Sequence, residues 1–251
     1  RSVLNDYIID SLYNWANLSS KNINSASQEI KRLDDRFENL KKIQNIFLNC
    51  YYDNPNTKNL FKELTLDRKT DFSRYNYFYA SFLASTGNTK EAENIVDSSL
   101  KFYPRNLKLN QLKIDLNEKK DSILFDCKNV AHVSAEVLYI AANALSSQSI
   151  YPLSNFYINL AKHLNENFHS FNTLLAENFY NIDNFEEARK IYKSLSKKGE
   201  AFKWYSSKQL ARIYLLTNDN DQAINILTNA YNSLNQKKIY ETFDYAEFLK
   251  N

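Results

Sequence analysis

Residues 174–195 read LLAENFYNIDNFEEARKIYKSL, and this stretch decides the fold. Its apolar residues recur every three or four positions, the spacing of one face of a helix, and the polar run around Asn181 to Asn184 interrupts them once. The reading is a helix, a short turn and a second helix. Two further stretches align on it without gaps: SRYNYFYASFLASTGNTKEAENIVDSSLKFYPRN at 73–106, and WYSSKQLARIYLLTNDNDQAINILTNAYNSL at 204–234. In each, an alanine (Ala80, Ala176, Ala211) is followed twelve residues on by another (Ala92, Ala188, Ala223). Three residues after the first alanine stands a large apolar side chain, Leu83, Phe179 or Tyr214.

The turns carry matching chemistry. Asn88, Asn184 and Asp219 stand where a second helix begins, with Glu91, Glu187 and Gln222 three residues later. That spacing predicts a capping box, two reciprocal bonds to free amides. Gly87, Asn181 and Asn218 stand where the first helix stops, and all three tolerate the left-handed conformation of a C-terminal cap. Pro104 closes one second helix.

A repeat of about 34 residues with small residues at positions 8 and 20 resembles the tetratricopeptide repeat (TPR). The resemblance is strongest over 73–106 and 169–234. Ala142 and Ser154 extend it through EVLYIAANALSSQSIYPLSNFYINLAKHLNENF, and Ala26 and Asn59 extend it by phase toward the N-terminus. The junction of that unit with LLAENFY is also similar to uncharacterised TPR proteins of alphaproteobacteria. The expected fold is all-α: a single TPR-like right-handed solenoid over residues 1–251, of about seven helical hairpins. Residues 105–134 are the exception, where LKLNQLKIDL reads as a helix but DSILFDCKNVAHVS as an irregular connection.

Composition agrees. Only two glycines and three prolines occur in 251 residues, so the glycine-rich phosphate loops of dinucleotide and P-loop sites cannot be built. The net charge of +3 advertises no polyanion partner. No apolar run is long enough for a transmembrane segment. Cys50 and Cys127 lack CxxC or Cys/His spacing and read as free thiols in helices, leaving cytoplasm and bacterial periplasm both open. The chain begins at Arg1 without a methionine and ends on FDYAEFLKN, which reads as a processed or excised piece with more chain or a partner beyond.

The resemblance implies a non-catalytic scaffold that binds a peptide or partner helix on the concave face lined by the first helices. Its candidate binding residues are Tyr77, Tyr139, Asn143, Glu177, Tyr205, Lys208 and Arg212. Only Asn143, Lys208 and Arg212 fall where some TPR domains clamp a carboxylate, and Glu177 stands in the repeat between. The alternative is an RNA-binding helical repeat. Its basic pairs, such as Lys119–Lys120 and Lys197–Lys198, fall at helix ends and turns, and the concave positions offer acids as readily as bases. No cofactor or metal is expected. Asp126, Cys127 and His132 could be drawn as a nucleophile and base, but at a spacing that matches no motif. His163 and His169 read as turn residues.

Overall fold

A computed structural model of the chain describes residues 3–66, 73–120 and 124–250. Among them are fourteen α-helices and no strand. In chain order they are α1 (Val3–Ala16), α2 (Ile23–Arg32), α3 (Glu38–Tyr51), α4 (Thr57–Leu66), α5 (Ser73–Ser85), α6 (Thr89–Phe102) and α7 (Leu107–Asn117). After residues 124–129, which form no helix, come α8 (Val130–Ser147), α9 (Tyr151–Leu164), α10 (Ser170–Asn181), α11 (Phe185–Leu195), α12 (Glu200–Leu216), α13 (Asn220–Asn232) and α14 (Ile239–Lys250). They fall into two compact units, Arg1–Ile95 with Ile123–Phe171, and Val96–Ser122 with Asn172–Asn251.

The hairpin turn is the same device used repeatedly. Gly87, Ser149, Asp183 and Asn218 all have φ between 58° and 81°. In each case the next residue donates its N–H to a carbonyl five residues back: Asn88 to Leu83, Ile150 to Leu145, Asn184 to Phe179 and Asp219 to Tyr214, at 2.8–2.9 Å. This is the Schellman closure of a helix C-terminus. Asp53 and Lys119 end α3 and α7 in the same way. In the α10/α11 turn the left-handed residue is Asp183 rather than the expected Asn181, which completes α10.

Two of the three expected capping boxes form by half. Asn184 Oδ1 accepts the Glu187 N–H and Asp219 Oδ1 accepts the Gln222 N–H, both at 3.3 Å. The return bond is missing because the turn is so short. The N–H of Asn184 and of Asp219 already closes the preceding helix, so Glu187 pairs with Lys190 instead.

The small positions are where the helices touch. Ala80, Ala92, Ala142, Ser154, Ala176, Ala188, Ala211 and Ala223 are all fully buried. Between α8 and α9 the approach is close enough for Ser154 Oγ to donate to the Ala142 carbonyl at 2.7 Å. Asn14 Nδ2 reaches the Ala26 carbonyl at 3.2 Å across α1 and α2, so the phase argument holds at Ala26. It fails at Asn59, which is exposed; α4 buries Thr57, Phe61 and Leu64 instead. The cause is the longer turn, where Asn54, Pro55 and Asn56 delay the start of α4.

The first unit has an aromatic centre. Phe78 and Phe125 lie 4.4 Å apart, Phe47 and Phe125 5.1 Å, and Phe168 and Phe171 5.0 Å between ring centroids. There α1 packs against α8 although more than a hundred residues separate them. Helix α8 begins a turn earlier than the sequence reading has it, because Asn129 Oδ1 caps the Ala131 N–H at 2.9 Å. The expected irregular connection therefore shrinks to residues 124–129, with Asp121, Ser122 and Ile123 outside the described residues.

In the second unit, α7 packs on α12. Gln111 of α7 accepts the Ala201 N–H at 3.1 Å, satisfying a free amide in the first turn of α12. Gly199, with φ 137°, precedes that turn, and a Cβ there would run into the Gln111 side chain. This glycine is kept by a close approach as well as by its backbone.

Candidate functional site

The expected concave positions have different fates in the two units. In the first they turn inward and bind one another. Arg74 of α5 donates Nε and Nη2 to the Glu136 carboxylate of α8 at 2.6 and 2.5 Å. Its guanidinium stacks 3.9 Å from the centroid of Tyr139. Glu136 is wholly buried. Burial works against the charge on Arg74, but the Glu136 carboxylate more than offsets it and holds the guanidinium pKa above its ordinary value. Tyr77 is buried between Phe78 and Phe168, so the expectation of a surface residue is corrected: it serves the aromatic core. Tyr139 is half-buried, held between Arg74 and the Phe171 ring 5.3 Å away. Asn143 alone of the three stays exposed.

The second unit keeps its positions at the surface. Along α12, Tyr205, Lys208 and Arg212 follow one another at helical spacing, and none is buried. The Tyr205 hydroxyl donates to Glu177 of α10 at 2.6 Å. Loss of water around it pushes the Glu177 carboxyl up, while the Tyr205 hydrogen bond pulls it partly back. Arg212 lies 5.2 Å from the Tyr180 ring centroid and donates to Gln209 at 3.2 Å. Among the described residues no carboxylate pairs with it. Lys208 Nζ reaches Asp244 Oδ2 of α14 at 2.6 Å, and Arg105 Nη1 reaches Oδ1 of the same carboxylate at 2.5 Å. Arg105, Lys208, Arg212, Asp244 and Glu247 line an open cleft of about 430 Å³ together with the apolar Leu215, Leu227 and Phe248.

A cleft of about 440 Å³ in the first unit differs in its charges. Its floor is Phe61, Phe78, Phe82 and Phe125, and its lysines are already matched, Lys58 with Glu91 at 2.6 Å and Lys128 with Asp53 at 2.5 Å. Of these two clefts, the α12 cleft offers a cation, Arg212, that no carboxylate pairs with among the described residues.

Arg105 and Asp244 escape a reading of the sequence. They are 139 residues apart, and no local spacing relates them. The cysteines were misjudged for the same reason. Cys50 of α3 and Cys127 of residues 124–129 form a disulfide across 77 residues, with Cα atoms 5.9 Å apart, and only Cys50 is in a helix. A bonded Cys127 has no thiolate to attack with. His132 Nδ1 meanwhile accepts the Asp126 backbone N–H at 3.0 Å. The sequence trio thus forms a loop brace. Among the described residues no group of three His, Cys, Asp or Glu is placed to hold a metal ion, and no helix is long and apolar enough to cross a membrane.

The repeated Schellman turn, the buried small pair twelve residues apart and the half-formed cap define an all-α protein built of repeated helical hairpins. No protein-family model matches the chain, and no curated protein matches it. Solved structures similar to it include that of pilF from Pseudomonas aeruginosa, at 14% identity over 99% of this chain and 97% of that one, with a TM-score of 0.34. A tetratricopeptide repeat protein from Parabacteroides merdae is 10% identical over 98% and 99% of the two chains, at a TM-score of 0.35. The C-terminal part of a TPR repeat-containing protein from Cytophaga hutchinsonii is 12% identical over 92% and 98%, at 0.36.

Proposed function

We propose that this chain is a non-catalytic protein-interaction scaffold whose α12 face holds an acidic segment of a partner protein. One observation carries the reading. Arg105 and Lys208, from separate parts of the chain, converge on a single carboxylate at the edge of an open cleft, and Arg212 one turn along has no acid of its own. Two cations on one carboxylate form the strong, charge-assisted kind of hydrogen bond. A partner segment with spaced acids would meet Arg212 first, while its apolar side chains lie against Leu215 and Phe248.

The test is binding of the partner recovered by affinity capture and identified by mass spectrometry, titrated against variants. Arg212→Glu should weaken that binding at least about tenfold, because it reverses an unmatched charge in the cleft. Among the described residues Arg212 makes no ion pair, so the melting temperature should hold. Lys208→Glu is a poorer choice, since it would set a second carboxylate against Asp244 and disturb α14. Reversal of Lys197 and Lys198, exposed in the turn before α12, should leave binding intact. Equal loss at both places would mean a diffuse attraction and sink the assigned site.

A further inference from the structure

The cleft of the first unit is walled by four segments: the last turn of α3, the start of α4, the end of α5 and residues 125–128. Apart from Pro55 and the Cys50–Cys127 disulfide, its apolar lining is four phenylalanines. Phe82 is the least buried of them, while Phe61, Phe78 and Phe125 are buried. The face of an aromatic ring carries negative potential, so such a lining attracts an organic cation as well as an apolar group.

The charges around the cleft leave one over. Lys58 pairs with Glu91 and Lys128 with Asp53. The Asp126 carboxylate, which also lines the cleft, forms no ion pair with any described residue. Its position is fixed. Asp126 Oδ1 accepts the Lys128 N–H at 2.8 Å, the Asp126 N–H goes to His132 Nδ1 at 3.0 Å, and the next residue is tied to Cys50. A carboxylate already held in place gives up little freedom on meeting a ligand.

Helix polarity has the same sign. The C-terminal ends of α3, at Cys50, and of α5, at Ser85 and Thr86, reach the cleft, and the negative end of a helix dipole favours a cation. The opposing end, the start of α4, is already satisfied. Thr57 donates its N–H to the Asn54 carbonyl at 3.0 Å, and Lys58 has its acid.

These features select among ligands. A neutral apolar molecule would strip water from Asp126 and return nothing, and an anion would meet a carboxylate and two helix C-termini. A basic peptide would bring further cations against Lys58 and Lys128. The cleft volume of about 440 Å³ lies within the roughly 300–1,000 Å³ of small-molecule sites.

We propose that this cleft binds a small organic cation, an ammonium group on an apolar body, with Asp126 meeting the charge and the phenylalanine rings the rest. The site lies wholly within the first unit and does not depend on the function proposed for the α12 cleft.

The experiment is calorimetric titration of the purified chain with benzyltrimethylammonium, against benzyl alcohol as neutral control and benzenesulfonate as anionic control. The cation should bind with a dissociation constant of about 1 mM or below, and both controls at least about tenfold more weakly. Asp126→Asn should weaken the cation at least about threefold. Its side-chain oxygen can still accept the Lys128 N–H, so the melting temperature should hold. Phe82→Leu keeps an apolar side chain and should lower the preference for the cation over the alcohol. Glu166→Gln, exposed elsewhere in the same unit, should change nothing. A folded wild type that ignores the cation up to about 10 mM would overturn the proposal, even if it took up an arginine-rich peptide. So would alcohol and cation bound equally, an unchanged affinity in Asp126→Asn, an unchanged preference in Phe82→Leu, or an equal loss from Glu166→Gln.

Discussion

The Arg74–Glu136 pair closes what the repeat pattern predicts to be an open face, and removing its members one at a time tests that role. Glu136 is fully buried, and the Arg74 side chain is 18% exposed. Arg74→Met leaves a buried carboxylate without a partner, a loss of about 3–5 kcal/mol. It also gives up the stacking on Tyr139 at 3.9 Å, about 1–2 kcal/mol more. Glu136→Leu strands a cation that still has some access to water, so about 3 kcal/mol is expected. The double variant removes both charges together and retains only the loss of stacking, about 1–2 kcal/mol. Urea unfolding of the four proteins measures the cycle. If the double variant costs the sum of the two singles, the pair is not coupled and the closure rests on the aromatic rings alone.

Three more outcomes are expected. Ala188→Leu should cost about 1–3 kcal/mol by overpacking a fully buried site, and Glu187→Leu only about 0.5 kcal/mol, since its exposed ion pair with Lys190 contributes little; equal costs in thermal unfolding would refute the register. Reduction of Cys50–Cys127 should lower stability by up to about 4.5 kcal/mol on the loop-entropy scale for a 77-residue separation, seen as a fall in the urea midpoint with dithiothreitol; an unchanged midpoint would refute a structural bond. Loss of water around its carboxyl, where the Tyr205 ring lies against it, raises the folded pKa of Glu177, so this group contributes more stability when protonated and less as pH rises through the shifted value. Glu177→Gln should accordingly lessen the loss of stability between about pH 5 and pH 7, and a pH dependence identical to the wild type would argue against the shift.

The hairpins were legible because everything that makes one lies within about 34 residues. The small pair sets how closely two helices approach, the left-handed residue closes the first, and an Asn or Asp caps the second. Those signals locate Ala80, Ala176 and Ala211 without any knowledge of packing. They misplace Asn59 and Asn181 where the turn is longer or its register ambiguous, since phase alone does not see a loop residue. The α12 triplet was legible in the same local way, because Tyr205, Lys208 and Arg212 share one helix.

The remainder was decided by where separate helices meet. Arg105 and Asp244 enter the cleft across 139 residues, and Cys50 finds Cys127 across 77. Tyr77, expected at the surface, is drawn inward because Phe168 arrives to meet it, and Arg74 because Glu136 does. The sequence by itself determined the helices, their pairing into hairpins and the chemistry each face could offer, since helix periodicity and capping are short-range forces. Only the tertiary structure decided which faces stay open to a partner, because burial depends on what distant segments pack above a residue.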